Sequence, residues 1–224
     1  MNLIETELAQ LKTNVIEMWD VVINQIQKAR EVIETGNQDL VHEMAAGEKW
    51  IDSYELKNDL ECENLLALYY PLANDLRFVL AVLKINYNLE RIADFAWGIG
   101  KTVRDEGKSL SADGIEKSNL ILMLNTCIQM LRDALAAFEG DNNELAGSVF
   151  ERDKILDINN KNASHIVAEL IKAKPEFILN YLSLLTTIRK VERMGDHTKN
   201  ISEEIIFYLE AKVLRHNRKK NKEI

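Results

Sequence analysis

The stretch Leu89-Glu90-Arg91-Ile92-Ala93-Asp94 returns, 102 positions further on, as Val191-Glu192-Arg193-Met194-Gly195-Asp196. Both versions set an acid, an arginine and a second acid four places after the first. Residues four apart lie one above the other on a helix face, where two like charges cost about 0.2–0.5 kcal/mol. A second acidic pair precedes each stretch: Glu48 with Asp52, and Asp153 with Asp157, offset by 105 positions. The chain therefore reads as two copies of one unit, each carrying two acidic pairs. A cost repeated at matched positions predicts a positive group between the acids.

Working outward, the first helix is expected from about Leu3 to Thr35, with Asn2 and Glu5 resembling a capping box and Gly36-Asn37 as the stop. The second runs from near Gln38 to about Tyr69, and Pro71 opens the third, which continues past Trp97. Gly107, Ser109 and Ser111 mark the connection between copies. The second copy repeats the plan: a fourth helix to about Glu139, a fifth to about Lys174, and a sixth opened by Pro175 and reaching about Arg215. No stretch alternates with a period of two, so no strand is expected. The reading is all-α, six long helices in two pseudo-symmetric three-helix bundles, residues 1–108 and 109–224.

Composition agrees. Nine Gly and two Pro in 224 residues favour helices. Cys62 and Cys127 have neither metal nor redox spacing and suit a reducing cytoplasm. The first residues lack the pattern of a signal peptide, and no apolar run is expected to reach the roughly 20 residues that span a bilayer. A net charge of −8 argues against nucleic acid as a partner.

The acids continue apolar stripes instead of opposing them. Residues seven apart lie within about 20° around a helix, which aligns Leu83, Glu90 and Trp97, and places Leu185 with Glu192. Val41 and Met44 lead into Glu48, and Ala146 and Val149 into Asp153. Carboxylates on such lines need a cation or strong donors. Arg91 and Arg193 offer salt bridges, and a solvated helical face is the usual meaning of any single acidic pair; four pairs in duplicated register favour a cation site. The candidate ligands are Glu48, Asp52, Glu90 and Asp94 in one copy, and Asp153, Asp157, Glu192 and Asp196 in the other. Asp75, Arg91, Arg193 and Asn200 are candidates for an outer shell. Oxygen-only donors suit hard ions such as Mg, Mn, Ca or oxidised Fe. No histidine has a Glu three residues before it, so the Glu-x-x-His of di-iron bundles is absent. His197 follows Asp196, but its counterpart in the first copy is Phe95, which favours a packing role.

Leu89–Asp94, and the run Val191 through Asp196 to His197-Thr198-Lys199-Asn200-Ile201, resemble the paired LERIGDHATNI signatures of the PhoU family of bacterial phosphate-uptake regulators. Pro71-Leu72-Ala73-Asn74-Asp75-Leu76-Arg77 is similar to that family's P-x-A-x-D-L-R segment, and Ile201–Glu210 to its usual end. The resemblance covers both copies. It implies two pseudo-symmetric three-helix bundles whose acidic pairs bind multinuclear metal clusters. It also implies a non-enzymatic role: a cytoplasmic adaptor between the phosphate ABC transporter and the sensor histidine kinase, acting as a homodimer and damping both uptake and signalling when phosphate is plentiful. Ala93 stands where the signature has Gly, Gly98 where the second copy has Asn200, and Phe177 where the first copy has Asp75. Two readings from other classes compete: a metal-dependent helical hydrolase or oxidase, which lacks a nucleophile–base constellation or a Gly-rich phosphate loop, and a metal-free helical adaptor with salt-bridged acids. The basic run Arg215, His216, Arg218, Lys219, Lys220 and Lys222 is read either as a frayed terminus or as a peripheral attraction to anionic lipid, worth about 1 kcal/mol per basic residue.

Overall fold

A computed structural model describes residues 3–107 and 109–211, and among them the regular structure is all helical, with no strand. The elements are α1 (Leu3–Thr35), α2 (Gln38–Tyr69), α3 (Asn74–Glu106), α4 (Ala112–Lys117), α5 (Leu120–Glu139), α6 (Asn143–Ala173), a 3₁₀ turn (Pro175–Phe177) and α7 (Ile178–Glu210). The first two helices have the bounds read from the sequence. Gly36 ends α1 in the left-handed region at φ 69, its N–H meeting the Val32 carbonyl at 2.8 Å. Asn37 then caps α2 by accepting from the Asp39 N–H. The expected Asn2 capping residue, and the extension of the last helix to Arg215 with the basic run beyond it, lie outside the described residues.

Three expectations need correction. Seven α-helices are present among the described residues instead of six, because the expected fourth helix breaks at Ser118-Asn119, where Asn119 turns left-handed at φ 54. Pro71 does not open α3: Tyr70 and Ala73 both sit at φ 47, and the helix starts only at Asn74. A residue before proline is kept out of the helical region, which makes Tyr70 a cap and Pro71 part of a connector. Pro175 opens a 3₁₀ turn, with α7 following from Ile178. Finally, α5 does have the length and composition to cross a membrane. Its packing shows a second use for that composition: Leu120, Met123, Leu124, Cys127, Met130, Leu131, Ala134, Ala137 and Phe138 are all fully buried in the bundle.

Helices α1, α2 and α3 pack on one another, as do α5, α6 and α7, and α1 also touches α5. Trp19 of α1 is fully buried and its indole Nε1–H donates to the Leu131 carbonyl of α5 at 3.1 Å. The most extensive contact of all is α3 against α7. These two helices run antiparallel, as their polar contacts show. Lys84 meets Glu204 at 2.9 Å, Asn88 accepts from Asn200 at 3.3 Å, and Lys190 donates to the Gly98 carbonyl at 2.6 Å. The 102-residue offset exchanges Asn88 with Lys190 and Gly98 with Asn200, so the last two contacts are one contact made twice. Phe95 and His197, also exchanged by the offset, face each other at 5.7 Å between ring centroids. A pseudo-twofold axis therefore passes between them.

Candidate metal centre and its symmetric counterpart

The first acidic group joins α2 and α3. Glu90 is buried, Glu48 and Asp94 are partly buried, and Asp52 is exposed. Helical periodicity turns them toward the interior, since Glu48 lies four residues after the buried Met44 and Glu90 four after the buried Asn86. Arg91 serves this group from within α3, gripping the neighbouring Glu90 through Nε and Nη2 and reaching Asp94 through Nη1 at 3.1 Å. It does not pair with α2. Glu48 instead comes within hydrogen-bonding reach of Asp94, an acid against an acid, and its Oε2 is buried without a partner. Burial, the Asp94 hydrogen bond and the charges of Asp94, Asp52 and Glu90 push the Glu48 carboxyl up to about 8. Burial also raises Glu90, against the pull of Arg91. Glu55, one turn on, is raised by burial and by Glu90 and Asp59. Of the four carboxylates, Arg91 thus pairs with the two on its own helix.

The second group joins α6 and α7, with Asp153 buried at 3 % exposure, Glu192 and Asp196 partly buried, and Asp157 exposed. Here a lysine makes the crossing that is missing in the first group. The Lys199 ammonium bonds Asp153 of α6 and, at 2.8 Å, Asp196 of its own helix. Burial raises Asp153 while Lys199 pulls it down. Burial lowers Lys199, but its two carboxylates more than offset this and hold it above the ordinary lysine range. Burial and the charges of Asp196 and Asp157 raise Glu192, with Arg193 acting in the opposite sense. Gly195 gives the helices their close approach: a Cβ there would fall 2.3 Å from Leu156 Cδ1.

The four expected ligands of each copy therefore converge. As the side chains stand, however, no three His, Cys, Asp or Glu among the described residues are drawn up to hold a metal ion. In the first group the donor chemistry fits a hard cation, because a buried carboxylate oxygen has no partner and the acids outnumber the bases. In the second group an ammonium already lies among the acids. Of the outer-shell candidates, Arg91 does touch its group. Arg193 acts on Glu192 through its charge. Asn200 bonds Asn88 across the seam. Asp75 joins neither group; it lines a cavity with Lys12, Phe78, Asp141 and Tyr208, about 22 Å along α3 from Glu90 by helix rise. His197 packs between Tyr87 and Phe95 and pairs through Nδ1 with Asn88 Oδ1 at 2.8 Å, and burial with Arg193 keeps its pKa low. Lys199, which bridges the second group, was not among the expected site residues. Its signal was a lysine three places after Asp196.

Comparison with known proteins gives one family. The PhoU domain model matches twice, over residues 15–103 and 120–205. A phosphate-specific transport system accessory protein PhoU homolog of Pseudomonas putida is 30% identical over 213 residues, covering 94% of this chain and 82% of that protein. The accessory protein PhoU of Escherichia coli is 30% identical over 217 residues, covering 94% and 86%. The crystal structure of PhoU from Pseudomonas aeruginosa superposes with a TM-score of 0.87 at 26% identity, over 93% of this chain and 99% of that one. The PhoU structure from Streptococcus pneumoniae shares the fold with a TM-score of 0.81 at 24% identity, over 94% and 99%.

Proposed function

Because this chain belongs to the PhoU family, we propose that it is a regulatory accessory protein of phosphate-specific transport. It acts in the cytoplasm without turning over a substrate, docks as a homodimer against the phosphate ABC transporter and the sensor histidine kinase, and damps both when phosphate is plentiful. The observation that carries this reading is the family match to both halves of the chain, at matched spacing. Supporting it, the polar machinery brought together in the bundle is a set of carboxylates and their counter-charges, which is suited to holding ions and not to nucleophilic chemistry.

A hard cation belongs to the same proposal. Glu48, Asp52, Glu90 and Asp94 would hold it, with Mg, Mn, Fe or Ca as the fitting ions, and it would supply positive charge between α2 and α3 where Arg91 alone does not reach. The partnerless Glu48 Oε2 supports this reading.

The test is cellular. Deleting the gene should leave phosphate-starvation genes expressed in phosphate-rich medium, and the wild-type copy should restore repression. Normal repression in a deletion strain with no second homologue would overturn the assignment. A phosphatase screen of the purified protein with Mn²⁺ should show no turnover, and sustained hydrolysis would favour the metal-dependent hydrolase instead.

A further inference from the structure

We infer that the two acidic groups are not equivalent, and that Lys199 is the resident cation of the second, so that a divalent metal is taken up by the first group alone. For the first group the inference rests on the cation reading above; for the second it stands on Lys199.

Matched positions make the case. Glu48 and Asp153 are exchanged by the 105-residue offset and occupy the same place in their copies. Each projects from the second long helix of its copy toward the acid that ends the motif opposite, Asp94 for Glu48 and Asp196 for Asp153. At that point the copies diverge. Glu48 meets Asp94 directly, acid against acid. Asp153 and Asp196 meet through the Lys199 ammonium, which bonds both. The position matching Lys199 in the first copy is Trp97, a side chain with no charge to give, whose ring is covered by Lys101 and Arg104.

Lys199 is built into its place. Its side chain is 12% exposed and that of Asp153 is 5% exposed. A lysine there is a compact point charge with three donors, and two of them are already used on the carboxylates a metal would need. A divalent ion that took Asp153 and Asp196 together would have to displace the ammonium from both carboxylates, and Asp153, at 5% exposure, is the one that water could least replace. Among the described residues no base takes that place in the first group: Arg91 lies along α3, pairs with acids of its own helix and leaves the Glu48 Oε2 without a partner.

The experiment measures Mn²⁺ bound per chain by equilibrium titration of chelator-stripped protein, with free Mn²⁺ read by electron paramagnetic resonance. Glu48→Gln combined with Asp94→Asn should weaken Mn²⁺ binding at least tenfold. Asp157→Asn combined with Glu192→Gln should leave it within twofold of wild type. Lys199→Met should increase the Mn²⁺ bound per chain, because the second group then resembles the first. Loss of binding in the Asp157/Glu192 variant, or no added Mn²⁺ in a folded Lys199→Met protein, would overturn the inference. The Asp157/Glu192 pair includes one exposed and one partly buried side chain, and its result stands even where Lys199→Met fails to fold. If wild type binds no Mn²⁺ but Lys199→Met does, the cation reading of the first group fails while the role of Lys199 is upheld.

Discussion

Replacing Glu48 with Gln tests the electrostatics of the first acidic group directly. In metal-free protein the folded state holds a proton on this carboxyl up to about pH 8, whereas the unfolded chain releases it near the ordinary value of 4.5. The folded state thus binds the extra proton between those values, so this contribution to stability is complete below about 4.5 and is lost as pH rises through 8. At about 1.4 kcal/mol per tenfold change in proton affinity, the full effect would be about 5 kcal/mol. Water reaches part of the side chain, which reduces it to about 2 kcal/mol. Gln keeps a donor for Asp94 and has no charge to desolvate. In chelator, Glu48→Gln should therefore melt about 4–8 °C above wild type at pH 8.5, at roughly 2–4 °C per kcal/mol for a chain of this size. The gap should close toward pH 4.5. The assay is thermal unfolding by circular dichroism across that range. A variant that melts below wild type at pH 8.5, or a gap that does not change with pH, would refute the reasoning.

Lys199→Met should lower stability in chelator by about 3–5 kcal/mol, because it leaves Asp153 buried and unpaired; denaturant titration should show most of the loss recovered when Asp153→Asn is added. Gly195→Ala should cost about 1–3 kcal/mol through the 2.3 Å approach to Leu156 Cδ1. Gly147→Ala, on α6 with nothing within 4 Å of the new Cβ, should gain about 0.5–1 kcal/mol; melting shifts of the same sign for both would contradict the packing account. Asn88→Ala removes the partner shared by His197 and Asn200 and should cost about 1–3 kcal/mol, with faster hydrogen exchange at the middle of α3 and α7 as its mark.

What could be read from the sequence was whatever depends on period and punctuation. The Gly36-Asn37 stop placed the α1–α2 junction because both residues act locally, one by its left-handed φ and the other by its cap. The repeat itself, and the convergence of eight acids into two groups, followed from offsets and heptad lines. The break at Asn119 was hidden because neither Gly nor Pro marks it; α4 packs against α5, α6 and α7, with Gly114 admitting Leu184 of α7, and only the folded neighbours show that. Asp75 was expected in an outer shell because it lies in a segment resembling the family's, although fifteen helical positions set it far from Glu90, beside Lys12 and Tyr208. The difference between the acidic groups was hidden for a related reason. Arg91 and Arg193 look alike in sequence, and it takes the packed helices to show that Lys199, not Arg193, spans the second pair, while Arg91 stays with the acids of its own helix in the first.

The seam between α3 and α7 also limits what can be built from this chain. An interface around a true twofold would repeat each contact with identical partners. Here Lys190 lies over Gly98, whose absent Cβ would come within 3.1 Å of the lysine Nζ, while Asn88 is matched to Asn200 and His197 to Phe95. Two copies of the first half, joined in the same way, would set Asn88 over a bare Gly98 on both sides and bring Phe95 against Phe95. Two copies of the second would force Lys190 onto Asn200 twice. The halves have become a mated couple: mixed as separate fragments, they should pair with the other kind and not with their own.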